Sequence, residues 1–188
     1  MVKRTLLAVF LFASLAILAP YVVKADVLPT ISAPSVTVSV GDTFTIPISI
    51  SDAVDLTSWQ FDLAFDPAIV QANLVSEGPF MSSFGTTLFT PGVIDNGTGL
   101  ISLVADLYVD LPPNPSGNGV LANIDFLALA PGVSPLTFSN VFLNLSDQDF
   151  EIVTGQITAV PEPATLMLLG GGLALFGMRR LSRRGRQE

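Results

Sequence analysis

Apolar and polar residues alternate with a period of two along several short stretches of this chain. In the stretch Thr43–Ile50 the apolar face consists of Phe44, Ile46, Ile48 and Ile50. In the next stretch one face holds Trp59, Phe61, Leu63 and Phe65, and the other holds Ser58, Gln60, Asp62 and Asp66. Alternation of this kind predicts half-buried strands of an antiparallel sheet. We therefore expect Asp62 and Asp66 to point to solvent, and Pro47 to lie at a sheet edge or a bulge.

Further stretches have the composition of strands: Ser35–Val40, Val70–Ser76, Leu100–Leu107, Val120–Leu129, Pro135–Leu145 and Phe150–Val160. The predicted inward residues of the fourth of these are Val120, Ala122, Ile124, Phe126 and Ala128. Turn signals such as Asn96-Gly97 and Pro131-Gly132 separate the stretches, while Val27–Pro34 and Leu111–Gly119 have the composition of linkers. No stretch has a long helical periodicity, so the predicted fold class is all-β, a sandwich or a barrel.

Basic residues are confined to the two ends of the chain. The 8 Lys and Arg residues are Lys3, Arg4, Lys24, Arg179, Arg180, Arg183, Arg184 and Arg186. All of the 16 Asp and Glu residues except Glu188 lie between Asp26 and Glu162, a region without any base. The body of the protein is therefore strongly anionic. It repels nucleic acid and anionic lipid headgroups, so we expect neither as a partner.

The chain has no His and no Cys. This excludes Ser-His and Cys-His nucleophiles and the nitrogen and sulfur ligands that zinc prefers. Carboxylates remain, which leaves paired-carboxylate hydrolysis and calcium binding as possible site chemistry. The body is long enough for one domain with its own core. Without cysteines, the protein must obtain its stability from that core rather than from disulfides.

The N-terminus has the three parts of a secretory signal peptide. Lys3 and Arg4 are the basic region, Leu6–Leu18 is the apolar region, and Val23-Lys24-Ala25 provides small residues at the cleavage positions. We therefore predict that residues 1–25 form a signal helix and that signal peptidase cuts after Ala25. The alternative is an uncleaved N-terminal anchor, which the short apolar region disfavours.

The C-terminus combines a rigid turn, an apolar segment and a basic stop. Pro161-Glu162-Pro163 precedes the apolar segment Ala164–Met178, and Arg179 and Arg180 begin the arginine cluster. As a helix the apolar segment is about 22 Å long, shorter than a bilayer core of roughly 30 Å. A marginal transmembrane helix favours temporary attachment, with a stable anchor as the alternative. The arginines should stay cytoplasmic, which places the body on the opposite side of the membrane.

Pro161-Glu162-Pro163, the short Gly-rich apolar segment and the arginine cluster, with Arg179 and Arg180 first, resemble the PEP-CTERM sorting signal, here residues 161–188. The resemblance implies recognition by an exosortase, a membrane-embedded transpeptidase of bacteria that make extracellular polysaccharide. It also implies a transient inner-membrane anchor that faces the periplasm, removal of the tail, and delivery to the cell surface or extracellular matrix.

The body, residues 32–160, resembles a cohesin domain. The resemblance rests on Val40–Ile48, Trp59–Val70, Gly119–Phe126 and Leu136–Val141. It implies a jelly-roll β-sandwich of about nine strands, related to carbohydrate-binding modules. Cellulosomal cohesins grip dockerins through one sheet face, but this chain has no dockerin-like calcium repeat to suggest a matching scaffold.

Aromatic residues provide the candidate ligand contacts. Phe80, Phe84 and Phe89 lie on a long predicted connection, and Tyr108 lies between Asp106 and Asp110. Exposed rings could stack on the faces of sugars. The alternative is that these rings fold back and cover one end of the core.

Two groups of carboxylates are candidates for metal binding or catalysis. Asn144 with Asp147-Gln148-Asp149-Phe150-Glu151 offers oxygen ligands at alternate positions, as calcium requires, but such residues also make ordinary turns. Asp62 and Asp66 could form a glycosidase pair, yet acids on an outward sheet face usually serve solubility. We therefore predict no cofactor, no metal and no catalysis.

These observations together predict an exported, surface-directed, non-catalytic binding module in an extracellular polysaccharide or biofilm matrix. The expected ligand is matrix polysaccharide or a surface protein. The alternatives are a structural matrix protein without a specific ligand and a dockerin-type adhesion module.

Overall fold

The computed structural model describes residues 27–144 and 149–162, together with Leu168. Within these ranges the protein is built from strands and one short helix, which confirms the predicted all-β class. The elements are β1 (Thr30–Ser32), β2 (Val36–Ser39), β3 (Thr43–Ala53), β4 (Ser58–Ala64), β5 (Val70–Glu77), α1 (Pro79–Ser82), β6 (Thr87–Thr90), β7 (Val93–Asp95), β8 (Leu100–Tyr108), β9 (Gly117–Ala128), β10 (Gly132–Pro135), β11 (Thr137–Leu143), β12 (Glu151–Val153) and β13 (Gln156–Val160).

The strands form two main sheets and a smaller third one. The first sheet has the order β12-β1-β3-β9-β5, and the second has the order β11-β4-β8-β6, with β7 also paired to β8. The third sheet has the order β10-β13-β2. The chain passes from the first to the third sheet between β1 and β2, between β9 and β10, and between β12 and β13. The segments β1–β2 and β12–β13 lie side by side. These two ribbons run parallel, so Thr30 pairs with Glu151 at one end of the sandwich and Ser39 pairs with Val160 at the other.

The core lies between the two main sheets and contains the predicted inward residues of β3 and β4. Ile46 and Ile48 from β3, and Phe61 and Leu63 from β4, are fully buried. Each such side chain contributes about 1.5–3 kcal/mol of hydrophobic stabilisation. Edge-to-face contact between Phe65 and Phe126, with ring centroids 5.4 Å apart, joins the end of β4 to β9 and so links the two sheets.

Pro47 occupies a position where the ladder tolerates a missing N–H group. On one side β3 pairs with β1 only at Ser49–Ser51, so β1 does not reach the proline. On the other side the register with β9 shifts between Ile48 and Ser49. The structure therefore places Pro47 at a local edge of the ladder, close to a bulge, in agreement with the prediction.

Several elements were not predicted, namely β1, β6, β7, β10 and α1. The stretch that was interpreted as an N-terminal linker contains β1, which pairs with β3 and β12. In β9 the bulge opposite Ile48–Ser49 changes the alternation, so that Leu121 is buried and Val120 only half-buried.

The prediction that Asp62 points to solvent was wrong. Its side chain is only 8% exposed. Asp66, just beyond the end of β4, is half-buried.

Candidate binding face

The outer surface of the second sheet carries a group of exposed apolar side chains. Residues directly opposite one another on paired strands share a face of the sheet. One cross-strand row on the outer side therefore contains Leu88, Leu107 and Ser58. The next row contains Thr90, Ala105, Gln60 and Phe142.

These rows expose more apolar surface than a sheet face in water needs. Leu88 is 61% exposed, Leu107 40% and Phe142 42%. Leu103, at a bulge of β8, is also exposed. We call Leu88, Leu103, Leu107 and Phe142 the apolar face. Neighbouring exposed apolar side chains of this kind are typical of interaction surfaces.

A depression of about 300 Å³ lies within this surface, between β4, β6 and β8. Its lining residues are Ser58, Trp59, Gln60, Leu88, Thr90, Ala105, Asp106 and Leu107. The hydroxyl of Ser58 is buried and has no hydrogen-bond partner in the structure. The depression thus combines apolar walls with a polar atom that could accept or donate one hydrogen bond.

Asp62 determines the shape of the sheet beside this depression. Its Oδ1 accepts a hydrogen bond from the Leu103 N–H at 2.7 Å, and its Oδ2 accepts one from Asn140 Nδ2 at 2.6 Å. Leu103 and Asn140 both have left-handed backbones, with φ of 59° and 48°. Each lies where the register of its strand with β4 shifts. One carboxylate therefore fixes a bulge on each side of β4.

The outer surface of the first sheet is chemically different. Its central positions include Thr45, Asn123 and Asp125, and the Thr45 hydroxyl donates a hydrogen bond to Asp125 Oδ1 at 2.5 Å. Leu74, at a bulge of β5, is an exposed apolar residue on this sheet. The two sheets thus present one mainly polar surface and one mainly apolar surface.

Carboxylates lie at both ends of the second sheet. Asp55 precedes β4 and Asp110 follows β8, so both lie at one end, and both are exposed. Asp66 follows β4 and Asp95 ends β7, which places them at the other end. Hydrogen bonds from Thr98 and Gly97 lower the pKa of Asp95 from its ordinary value. The apolar face therefore lies between two acidic ends.

The aromatic residues singled out from the sequence do not form one surface. Phe80 and Tyr108 are buried, and Phe89 is half-buried with its ring 6.2 Å from that of Trp59. Phe84 is 47% exposed and contacts Phe80 edge to face. This arrangement agrees better with the alternative interpretation, in which these rings cover one end of the core.

The carboxylates named in the sequence are also dispersed. Asp62 is engaged by two donors, and Asp66 Oδ1 accepts a hydrogen bond from the Ala68 N–H at 2.9 Å. Of the suggested calcium ligands, Asp147 and Gln148 lie outside the described residues, and Asn144 Oδ1 accepts a bond from the Thr57 N–H at 2.7 Å. Among residues 27–144 and 149–162, no three acidic residues lie close enough together to hold a metal ion.

One buried carboxyl group, next to Glu77, was not predicted from the sequence. Asp106 shares the inner face of β8 with its cross-strand neighbour Trp59 and is 3% exposed. Burial, together with the negative charge of Glu77, raises the pKa of Asp106 to about 6. Glu77 Oε1 in turn accepts a hydrogen bond from the Thr87 hydroxyl at 2.6 Å. The alternation around Asp106 could have suggested its inward position.

Two of the predicted sorting residues lie within the described part of the chain. Pro161 and Glu162 directly follow β13 and are exposed. Ala25, Pro163, Arg179 and Arg180 lie outside the described residues, as do the predicted signal helix and most of the predicted transmembrane helix. In the described part of the chain, no helix has the length and apolar character needed to cross a membrane.

Two family models match the chain. The model of the cohesin domain matches residues 29–159, and the model of the PEP-CTERM protein-sorting motif matches residues 159–184. Both expected resemblances are confirmed. No curated protein matches the chain.

Solved structures of similar fold include a non-cellulosomal cohesin from Archaeoglobus fulgidus, with a TM-score of 0.59 and 17% identity over 75% of this chain and 97% of that one. The second type II cohesin module of the ScaA scaffoldin of Acetivibrio cellulolyticus gives 0.61 and 16% over 73% and 99%. A cohesin solved in a type I cohesin–dockerin complex from Clostridium thermocellum gives 0.55 and 18% over 71% and 100%. At these identities the likeness shows the fold.

Proposed function

Because the chain belongs to the cohesin family and carries a PEP-CTERM sorting motif, we propose that this exported, exosortase-sorted module binds a partner protein outside the cell. The apolar face of the second sheet is the proposed binding surface. The observation that carries this proposal is the exposure of Leu88, Leu107 and Phe142 on one surface of the second sheet. On the first sheet the exposed apolar residues Leu74 and Val153 lie on opposite edge strands, β5 and β12, and do not form one surface.

The centre of the surface suits a protein better than a charged ligand. Buried interface centres are depleted of charge and enriched in apolar side chains. Two hydrogen bonds hold the Asp62 carboxylate within the sheet, and Asp106, which lines the depression, is only 3% exposed. The depression beside Leu107 and Ser58 could receive one partner side chain with an apolar body and a polar tip.

The charges around the apolar face indicate which charges a partner should carry. Acids lie at both ends of the face, and the chain has no base from Asp26 to Glu162. A second copy of this domain would therefore bring like charges together, whereas a partner with Lys or Arg flanking an apolar centre would be attracted. The Clostridium thermocellum relative was solved with a dockerin, and a dockerin-like protein is one partner of this chemistry.

A non-catalytic role is consistent with the carboxylates. Glycoside hydrolysis requires two carboxyl groups that face one cleft from opposite sides of a sugar. The close pair in this protein, Asp106 and Glu77, includes a carboxyl group that is buried between the sheets. Asp106 borders the surface depression, but with 3% of the residue exposed it offers little surface to a substrate.

A matrix polysaccharide is the second candidate ligand. It is favoured by the exposed rings of Phe84 and Phe142, since an aromatic face can stack on a sugar. In either case we propose that the protein faces the periplasm while its tail holds it in the inner membrane. It then acts at the cell surface or in the extracellular polysaccharide matrix.

Site-specific photocrosslinking in the producing cell tests the proposal. A photoreactive residue at Leu88 of the full chain should give a discrete protein adduct, and the same residue at Thr45 on the first sheet should not. Adducts at both positions, or at neither, would contradict the proposed surface.

Affinity electrophoresis in matrix polysaccharide tests the second candidate ligand, because retardation that is lost on Phe84→Ala or Phe142→Ala would identify a glycan ligand. Absence of both signals would favour a structural matrix protein.

A further inference from the structure

The sorting motif begins inside the folded domain. The cohesin match ends at residue 159, and the sorting-motif match begins at the same residue. Ala159 and Val160 are the last two residues of β13. The fold and the sorting signal are therefore joined without a linker.

Strand β13 is firmly held where the motif begins. It is the central strand of the third sheet, paired with β10 on one side and β2 on the other. Ile157 and Ala159 are buried in the sandwich. The carbonyl of Val160 accepts a hydrogen bond from the Val40 N–H at 2.9 Å, so pairing continues to the last residue before the motif's first proline.

Strand pairing of β13 ends at Val160, directly before Pro161. Pro161 and Glu162 are exposed at the end of the sandwich. Only Pro161, Glu162 and Pro163 separate β13 from the apolar segment that starts at Ala164, a span of about 10 Å when fully extended. An enzyme in the membrane must therefore reach the motif directly beside the folded end of the domain.

The same end of the sandwich is closed by three turns that bond to one another. The Gly41 N–H donates to the Ala128 carbonyl at 2.9 Å, and the Leu129 N–H donates to the Ile69 carbonyl at 2.8 Å. These bonds join the β2–β3, β9–β10 and β4–β5 turns into one surface around the exit of β13. Release of β13 would therefore break the pairing of two strands and disturb this surface.

We infer that the exosortase takes this protein as a folded substrate and reads the sorting motif only from Pro161 onward, while β13 stays in its sheet. The inference rests on the proposed sorting by an exosortase and adds where the enzyme's contact with the chain begins. An enzyme that bound the chain upstream of Pro161 in an extended form would first have to unzip a central strand.

An engineered disulfide tests this directly, because the chain contains no cysteine of its own. Thr37 and Thr158 are partners in the parallel pair β2–β13. Neighbouring strands are about 4.8 Å apart, within the Cα separation that a disulfide accepts. The full chain carrying Thr37→Cys and Thr158→Cys would be expressed in a host with the cognate exosortase. Thiol labelling would confirm the bond, and mass spectrometry after a pulse-chase would follow loss of the tail.

The locked protein should lose its tail within about twofold of the rate of the single variants Thr37→Cys and Thr158→Cys. Eight Gly and Ser residues inserted between Val160 and Pro161 should likewise accelerate processing by no more than about twofold. A tenfold slowing that reduction reverses, or a large acceleration by the linker, would overturn the inference while leaving exosortase sorting intact. Retention of the tail by the single variants and the unmodified chain would instead contradict the sorting itself.

Discussion

The backbone N–H of Leu103 donates a hydrogen bond to Asp62 Oδ1 at 2.7 Å, and this contact holds a left-handed residue within a β-strand. Left-handed backbone is unfavourable for a residue with a Cβ atom. A charged acceptor offsets that cost, because hydrogen bonds to carboxylates are stronger than those between neutral groups. Asp62 therefore contributes to the conformation of the apolar face although it is almost completely buried.

Replacing Asp62 by Ala should lower the free energy of unfolding by about 2–4 kcal/mol, because the Leu103 N–H and the Asn140 amide lose their charged acceptor. Urea denaturation of residues 26–162 measures this loss. Asp125→Ala provides the control, since Asp125 accepts a bond from Thr45 on the opposite surface. That variant should lose less than about 1 kcal/mol. Equal losses in the two variants would contradict a special role for Asp62.

Stability should also depend on the protonation of Asp106. Its pKa is raised from 3.8 to about 6 in the folded protein, so folding favours the protonated form. The corresponding stabilisation is fully present below pH 3.8 and is lost as the pH rises through about 6. The free energy of unfolding should therefore be higher near pH 4.5 than near pH 7.5, by about 1–3 kcal/mol.

Asp106→Asn separates this effect from the general repulsion among the acids of the body. The variant cannot ionise at this position, so its stability should change less between the two pH values than that of the unmodified protein. Chemical denaturation at each pH gives the comparison. An identical pH dependence in both proteins would show that Asp106 does not titrate as its position between Trp59 and Glu77 implies.

The residues that face the core were predicted from the sequence more accurately than those on the outer surfaces of the sheets. The alternation of Ile46 and Ile48, and of Phe61 and Leu63, follows the pleat of single strands, and hydrophobic burial requires it. The environment of Asp62 depends instead on bulges in two other strands that are distant in sequence. Alternation within β4 contains no information about Leu103 or Asn140, so the same rule assigned Asp62 to solvent incorrectly.

The apolar face could not be predicted for the same reason, because it depends on how distant strands pair. Leu88 lies on β6, a strand of four residues whose alternation is too short to be recognised. Its neighbour across the sheet, Leu107, lies on a predicted strand, but its position beside Leu88 and Ser58 follows only from the pairing of the strands. The apolar face is therefore a property of the strand order β4-β8-β6, which pattern analysis does not supply. The sorting motif, by contrast, is contiguous in sequence and was identified from its residues alone.

Phe80 and Phe84 offer a test of the roles of the aromatic segment. Phe80 is 5% exposed and Phe84 47% exposed, although the two rings touch. Phe80→Ala should therefore cost about 3–5 kcal/mol of stability, whereas Phe84→Ala should cost less than about 1 kcal/mol. Thermal and urea unfolding of both variants provide the measurement. A large loss in Phe84→Ala would show that its ring belongs to the core, and it could then not serve as a sugar platform.

The apolar face should be dispensable for folding and necessary for binding. Leu107→Asp places a charge on an exposed position, so the free energy of unfolding should change by less than about 1 kcal/mol. The photocrosslinked adduct formed from a reactive residue at Thr90, in the row next to Leu107, should fall at least tenfold, because an unpaired charge within an interface centre is costly. Leu74→Asp is the matched control, since it adds the same charge at an exposed leucine of the first sheet. An equal loss of the adduct in both variants would mean that added negative charge, rather than the apolar face, determines partner binding.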